Sequence, residues 1–439
     1  MSGRPVPEPD SDTVSLRLAG PVDELAAELA DRTAPAVHPY EVAALLESEG
    51  LTGEQIRARY GHPDIFSLAE ELYRRVPRAF PEPPPATDPW APDHVRCALR
   101  GVVFALPGLA YPLTAPLWRG AGAVSALVVA GLLSWAWGQA LSHRTYVRLA
   151  AGRREAGLTL RAGAPVGAAL PVLAALLMVG PGPAVLFAVG QSVYLAAAGV
   201  LLVLGRERLL AAALSPLVAG GALLLYGEPG TGPRIGLPLL TLVASTALAA
   251  HAVRDALRSA AVPGPARTGY LASLPYGLFG LAAGALVLSE GARHPYAVIA
   301  LTVSMGPAEW LLYRFRGLSV AALRASATPR GFRLRSARTL TVCLVAYLAL
   351  LVPAALLTGA PVGELAALGA TLWTALLLQA FGVGLSPAVV CLGAAAPVTV
   401  AAVTGSPPWP WLLTACCSVA AVALAGLALY ALGRPSAHA

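Results

Sequence analysis

The chain runs to 439 residues, of which 56% are apolar and only 13% charged, whereas soluble domains carry about 25% charged residues. A chain of this balance sits mostly in a membrane, and its proportions exclude a secreted disulfide scaffold, a nucleic-acid-binding domain and a large soluble enzyme. All 31 basic residues are Arg, with no Lys and no Asn, a usage expected of GC-rich, actinobacterial coding DNA.

Charge divides the chain. Residues 1–97 hold 17 of the 24 acids against nine Arg, a net of −8, and residues 98–439 hold seven acids against 22 Arg, a net of +15. The basic surplus belongs to the membrane part, where Arg marks topology and contact with anionic membrane lipids. Nucleic acid is not expected as a partner.

The first thirteen residues are rich in Pro, Ser, Asp and Gly and lack the charged-apolar-small order of a signal peptide, so residues 1–33 read as a mostly disordered tail. A small acidic helical module is expected over 34–80. Tyr40, Val42, Ala43, Leu45 and Leu46 recur at helical spacing ahead of Gly50, a C-cap. Thr52 with Gln55 three residues on has the spacing of a capping box, and Gly61 closes that helix. A third helix is expected from about Asp64 to Val76, with Ile65, Phe66, Leu68, Leu72 and Tyr73 on its apolar face and Pro77 as its stop. The short middle helix, with Arg57 and Arg59, has the outline of a DNA reader, but its acidic surroundings argue against DNA and leave a protein-contact or folding module or a regulatory ligand site; a cytoplasmic or membrane envelope-assembly protein is the partner expected for residues 34–80. His38 and His62 each precede Pro at a helix start, and no Cys lies near enough to complete a zinc set.

Residues 81–97 read as an extended linker, with prolines at 81, 83, 84, 85, 89 and 92. Trp90 falls just ahead of the first span, at headgroup level. Apolar stretches of about 20 residues, each enough to cross a core of about 30 Å, then follow at 99–118, 121–142, 164–181, 183–204, 209–226, 236–253, 269–289, 294–313, 339–358, 361–380, 382–403 and 409–432. The fold class expected is an all-α polytopic membrane protein of about twelve transmembrane helices, with lobe 1 over 98–254 and lobe 2 over 255–439.

One set of connections holds Arg144, Arg148, Arg153, Arg154 and Arg161, then Arg206 and Arg208, then Arg254, Arg258 and Arg267, then seven Arg from Arg314 to Arg338; the other holds only Arg119, Arg234 and Arg293. Arg near span ends is retained in the cytoplasm, so both termini are expected to be cytoplasmic in a multi-pass protein of the inner membrane. The two longest Arg-rich connections mix Arg with Leu and Val at spacings suited to interfacial helices on anionic lipid. They also offer a docking surface for an acidic partner.

Those connections follow the second and eighth spans, which points to a duplication. At an offset of 168, Gly101, Leu106, Pro107, Leu113 and Ala115 match Gly269, Leu274, Pro275, Leu281 and Ala283, and Gly138, Ala140 and Arg148 match Gly306, Ala308 and Arg316. Six plus six spans in parallel orientation imply a pseudo-two-fold along the membrane normal. With proline-bent first and seventh spans, residues 99–432 resemble the multidrug, oligosaccharidyl-lipid and polysaccharide flippase superfamily in architecture, on no specific motif. That resemblance implies that the first, second, seventh and eighth spans line a central cavity, with Pro107, Tyr111, Pro112, Gln139, Pro275, Tyr276 and Glu309 near it. The first span departs from the lipid II flippases of that superfamily, having no charge between Arg100 and Arg119.

The membrane part holds seven acids, Glu155, Glu207, Glu228, Asp255, Glu290, Glu309 and Glu364, none within four residues of another. Paired carboxylates for a metal or for acid–base work are therefore not expected, and there is no phosphate-binding G-x-x-x-x-G-K-[ST] loop. No enzyme activity, cofactor or metal is expected. Ionisable groups within spans are costly and default to functional candidates. Glu309 either binds a coupling proton or cationic headgroup, or pairs at the interface with Arg314 or Arg316. His251 is an interfacial residue or a proton relay, Gln191 an interhelical hydrogen bond or a substrate contact, and Tyr111, Gln139 and Tyr276 either pack or meet a sugar. Two functions fit these residues: a flippase-like transporter of an envelope lipid-linked sugar or polysaccharide, and a non-transporting scaffold that recruits a partner through its acidic head.

Overall fold

The computed structural model describes residues 20–79, 91–118, 122–261, 269–404, 411–434 and Ala437. They fall into two compact units, within Met1–Thr87 and Asp88–Ala439. Most of the proline-rich linker, with Trp90, and also Arg119 and Arg267, lie outside the described residues.

Among the described residues the amino-terminal unit has five helices: α1 (Pro21–Glu28), α2 (Ala30–Thr33), α3 (Pro39–Ser48), α4 (Gly53–Tyr60) and α5 (Ile65–Arg75). The last three are those expected. Gly50 and Gly61 take positive φ at the ends of α3 and α4, and Thr52 and Gln55 exchange the two hydrogen bonds of a capping box. Residues 20–33, expected to be disordered, are instead helical. Leu25 and Leu29 are buried with Leu46, Ile56, Leu68 and Leu72 in one core, so α1 and the Leu29 cap that follows it complete a face that three helices leave open.

The larger unit begins earlier than expected, with α6 (His94–Ala105) capped by Asp93. Pro107 then imposes a 3-10 turn, Leu106–Leu109, ahead of α7 (Ala110–Trp118). There follow α8 (Ala123–Ala151), α9 (Arg153–Val179), α10 (Pro183–Val203), α11 (Glu207–Ala213), α12 (Ser215–Tyr226) and α13 (Thr231–Arg258). The second half has a 3-10 turn at Tyr270–Ser273, then α14 (Leu274–Arg293), α15 (Pro295–Arg324), α16 (Pro329–Thr358), α17 (Val362–Ala380), α18 (Leu385–Thr404) and α19 (Leu412–Leu432). Among the described residues there is no strand.

Helical segments stand at all twelve expected span positions. Ten are long and apolar enough to cross a membrane, and α11 with α12, bent by 44°, makes an eleventh. The twelfth, α15, is long at 30 residues, but Glu309, Arg314 and Arg316 dilute its apolar stretch. Large side chains such as Leu177, Leu225 and Leu357 stay exposed, as helices in lipid require. The expected interfacial helices are absent as separate elements: α8 and α9 simply extend to meet at Gly152, and α15 and α16 extend to a junction at Ala325–Thr328. Their Arg residues lie on the ends of spanning helices, where long side chains reach the membrane interface.

Each half packs round its own core. Buried residues of α14–α19 form one cluster, and those of α6–α13 form two others. Arg234, counted above as a loop charge, is a tie inside the first lobe: it donates to the Pro229 carbonyl at 2.8 Å, to the Leu113 carbonyl at 3.2 Å and to Glu228 at 2.7 Å. The chain order places the amino end of α6, the α8–α9, α10–α11 and α15–α16 junctions and the end of α13 on one side of the bundle, the arginine-rich side.

Candidate functional site

Among the described residues the two lobes meet chiefly through two helix pairs, α6 with α15 and α8 with α14. These are the first span against the eighth and the second against the seventh, pairings that exchange of the two halves interconverts. Small residues set the approach. A Cβ on Gly101 would lie 2.6 Å from the Val303 carbonyl oxygen, and one on Gly306 would lie 2.5 Å from the Cys97 carbonyl oxygen. In the other pair, a Cβ on Gly280 would lie 2.8 Å from Gln139 Cγ, and one on Gly284 would lie 2.8 Å from Leu132 Cδ2.

On the arginine-rich side this seam carries an ion-pair network. Arg100 donates to Glu207 Oε1 through Nε at 3.0 Å and Nη2 at 2.8 Å, and Arg96 Nε donates to the same oxygen at 2.9 Å. The remaining arm of Arg100 donates to Glu309 Oε1. Glu207 belongs to the first lobe and Glu309 to the second, so a single guanidinium joins them. The side chains of Arg100 and Glu309 are only 12% and 18% exposed, which makes the pair costly to break on one side alone. Beside it, Trp310 Nε1 donates to His94 Nδ1 at 2.9 Å.

The α8–α14 seam ends similarly on the arginine-rich side. His143 stacks on Tyr276 with ring centroids 3.6 Å apart, and its Nδ1 lies 3.0 Å from Ser273 Oγ. Arg144 sits 3.8 Å over the Tyr270 ring. Away from that side the first span leaves the second lobe: α7 packs on α10, α12 and α13 of its own lobe. There Tyr111, 42% exposed, donates to Gln191 Oε1 at 3.0 Å, and Gln191 Nε2 donates to the Leu127 carbonyl at 3.4 Å. Phe187 lies between Tyr111 and Trp118, with centroids 5.4 and 5.3 Å away.

The sequence candidates thus separate into groups. Glu309, Gln139 and Tyr276 lie on the inter-lobe seam, and Tyr111 and Gln191 form one hydrogen-bonded pair on the first lobe. His251 stands apart, exposed on α13, with Nε2 3.3 Å from Asp255. Glu309 pairs with Arg100, a partner that the sequence reading did not consider; Arg316 lies over the Phe381 ring at 5.2 Å. Arg96, Arg100, Glu207 and His143 were missed. The available signal was Arg96 and Arg100, one turn apart on the first span. Glu207 was hidden between Arg206 and Arg208, where it reads as part of a topological loop.

Fold and seam together define a polytopic α-helical membrane protein of two lobes. No protein-family profile matches the chain, and no curated protein sequence matches it. Two solved structures are similar. One, a crystal structure of a proline-to-alanine mutant of a MATE protein, is 13% identical with a TM-score of 0.41, covering 77% of this chain and 96% of that one. The other is described as a MOP-superfamily transporter from Pyrococcus furiosus whose reversed binding-pocket polarity suggests a different function. It is 13% identical with a TM-score of 0.37, covering 78% of this chain and 97% of that one.

Proposed function

We propose that the protein is a multi-pass transporter of the cytoplasmic membrane that moves an envelope lipid-linked sugar or polysaccharide by alternating access, with its arginine-rich side and both termini in the cytoplasm. The observation that carries this reading is Arg100, clasped by one carboxylate from each lobe on the side where the lobes meet. A carrier that opens away from the cytoplasm needs such a closure on the cytoplasmic side. When the lobes part, Arg96, Arg100 and Glu207 stay together with a net charge of +1, suited to the phosphate of a lipid-linked saccharide. Glu309 is then free to take a proton. Tyr111, Phe187 and Trp118 supply ring faces for the sugar.

The test uses proteoliposomes with a fluorescent polyprenyl-diphosphate oligosaccharide and an impermeant quencher. Translocation is expected with the wild type, and Arg100→Gln, which breaks the closure, should slow it. Absence of translocation by folded wild-type protein, in either orientation, refutes the reading. Reporters at the carboxyl end and between Tyr226 and Thr231 test the orientation, and should report opposite sides. The compact core of the head favours a second reading, a scaffold that recruits an envelope-assembly protein through residues 34–80. That reading gains if removing the head abolishes function while translocation is absent throughout.

A further inference from the structure

On the side away from the arginine-rich face, α14 ends at Arg293, His294 links it to α15, and α17 begins at Val362. These termini bring Glu290, His294 and Glu364 together, with one donor atom from each within 4.8 Å of the other two. Glu290 is fully buried and Glu364 is 4% exposed. The Arg293 guanidinium pairs with Glu364 and, at 3.3 Å, with Glu290 Oε2. Glu290 Oε1 is buried with no hydrogen-bond partner.

With the His294 imidazole neutral, as a metal ligand must be, two buried carboxylates and one guanidinium leave the cluster one positive charge short, and an uncompensated buried charge is strongly unfavourable. The carboxyl end of α14 adds its partial negative charge. Both terms call for a further cation at the orphaned oxygen.

We infer that Glu290, His294 and Glu364 form a binding site for a divalent transition-metal ion of the zinc type, reached from the side opposite the arginine-rich face. Two carboxylates with an imidazole suit zinc, whereas calcium and magnesium take oxygen ligands. A divalent ion neutralises both carboxylates, engages Glu290 Oε1 and displaces Arg293. That residue closes α14 and its side chain is 28% exposed, so it has a short path to water at the membrane interface. Arg293 is thus a tethered cation that holds the site while the ion is absent. The ion clips α14 to α17 within the second lobe, a role independent of what the protein transports.

The test uses the full-length protein in detergent, with its affinity tag removed and metals stripped by a chelator. Zinc, magnesium or sodium chloride is then added, and bound metal and the thermal midpoint are measured. One zinc per chain and a raised midpoint are expected, with neither from magnesium or sodium. Glu290→Gln and His294→Ala should each lose the ion, and His251→Ala should keep it. His294 is partly exposed at a helix junction, so its variant serves even where Glu290→Gln does not fold. Sub-stoichiometric zinc, or zinc binding indifferent to His294→Ala, overturns the inference. So does a metal-free protein that loses stability as pH rises and is cured by Glu290→Gln, since a proton then meets the charge deficit. Transport is not read, so failure here leaves the transporter reading standing.

Discussion

Replacing Arg100 by Gln strands one carboxylate and spares the other. Glu207 keeps Arg96 at 2.9 Å, whereas Glu309 loses the guanidinium that reaches it from the first lobe. Removing one partner of a buried ion pair costs about 3–5 kcal/mol, and because both side chains keep some contact with water the lower end applies. That cost falls on the state in which the lobes meet, because parting gives Glu309 access to water. At about 1.4 kcal/mol per factor of ten, the balance should move roughly 100-fold toward the parted state. Cys97 reports it: the residue is 3% exposed and its carbonyl faces Gly306 across the seam. With Cys343, Cys391, Cys416 and Cys417 replaced, maleimide labelling of Cys97, normalised to the rate in denaturing detergent, should be slow in the parent and much faster in Arg100→Gln. Glu309→Gln should have a smaller effect, since Arg100 retains Glu207. The double variant should regain most of the protection, because no charge is left stranded. Equal labelling of folded Arg100→Gln and parent protein would refute the closure.

Gly306→Ala places a methyl group 2.5 Å from the Cys97 carbonyl oxygen, an overpacking worth about 1–3 kcal/mol; a lowered thermal midpoint with faster Cys97 labelling is expected. Tyr111→Phe removes the 3.0 Å bond to Gln191 and keeps the ring on Phe187, so a loss of about 1 kcal/mol should appear in the midpoint while labelling of Cys97 stays unchanged. Residues 20–79 expressed alone should give a helical circular dichroism spectrum with a cooperative transition. Leu72→Ala, at a fully buried position, should abolish that transition, since it costs about 2–5 kcal/mol in a unit of marginal size. The Ser67 backbone N–H holds the Asp64 carboxyl below the usual carboxylate range. Its contribution to the head is therefore present above that range and lost only as pH falls through the lowered value, and Asp64→Asn should flatten the acid limb of the stability curve.

Most of the architecture was legible because its signals are local. Twelve helical segments follow from apolar runs, and Gly50, Gly61 and Pro107 mark breaks by their own backbone preferences. Residues 20–33 were misread because Leu25 and Leu29 are too sparse for an apolar face of their own. They become one only against Leu46 and Leu72. The charged site was much less legible for the same reason on a longer scale. Acids within four residues of one another share one helix turn, and only such pairs show as a spacing along the chain. Glu290 and Glu364 come from different spans, and so do Arg100 and Glu309, so no spacing along the chain announces either meeting.

The pairing pattern limits what each charge can do. All seven acids of the membrane part have a basic partner: Glu155 meets Arg148, Glu228 meets Arg234, Asp255 meets His251 and Arg206, and the other four share Arg96, Arg100 and Arg293. In the proposed cycle an acid paired within its own lobe would travel with its partner, so its electrostatic energy would change little between states. Among these ion pairs Arg100–Glu309 alone crosses from one lobe to the other. In the proposed transport cycle its making and breaking is therefore a charge-dependent difference between joined and parted lobes. A ligand that biases that equilibrium must bind the two states differently. An anion replacing Glu309 at Arg100, or a proton on Glu309, does so at the pair itself. By the same reasoning, an ion at Glu290 and Glu364 stays within one lobe. In the proposed cycle it would stiffen that lobe in both states, and its removal should lower stability without changing which side is open.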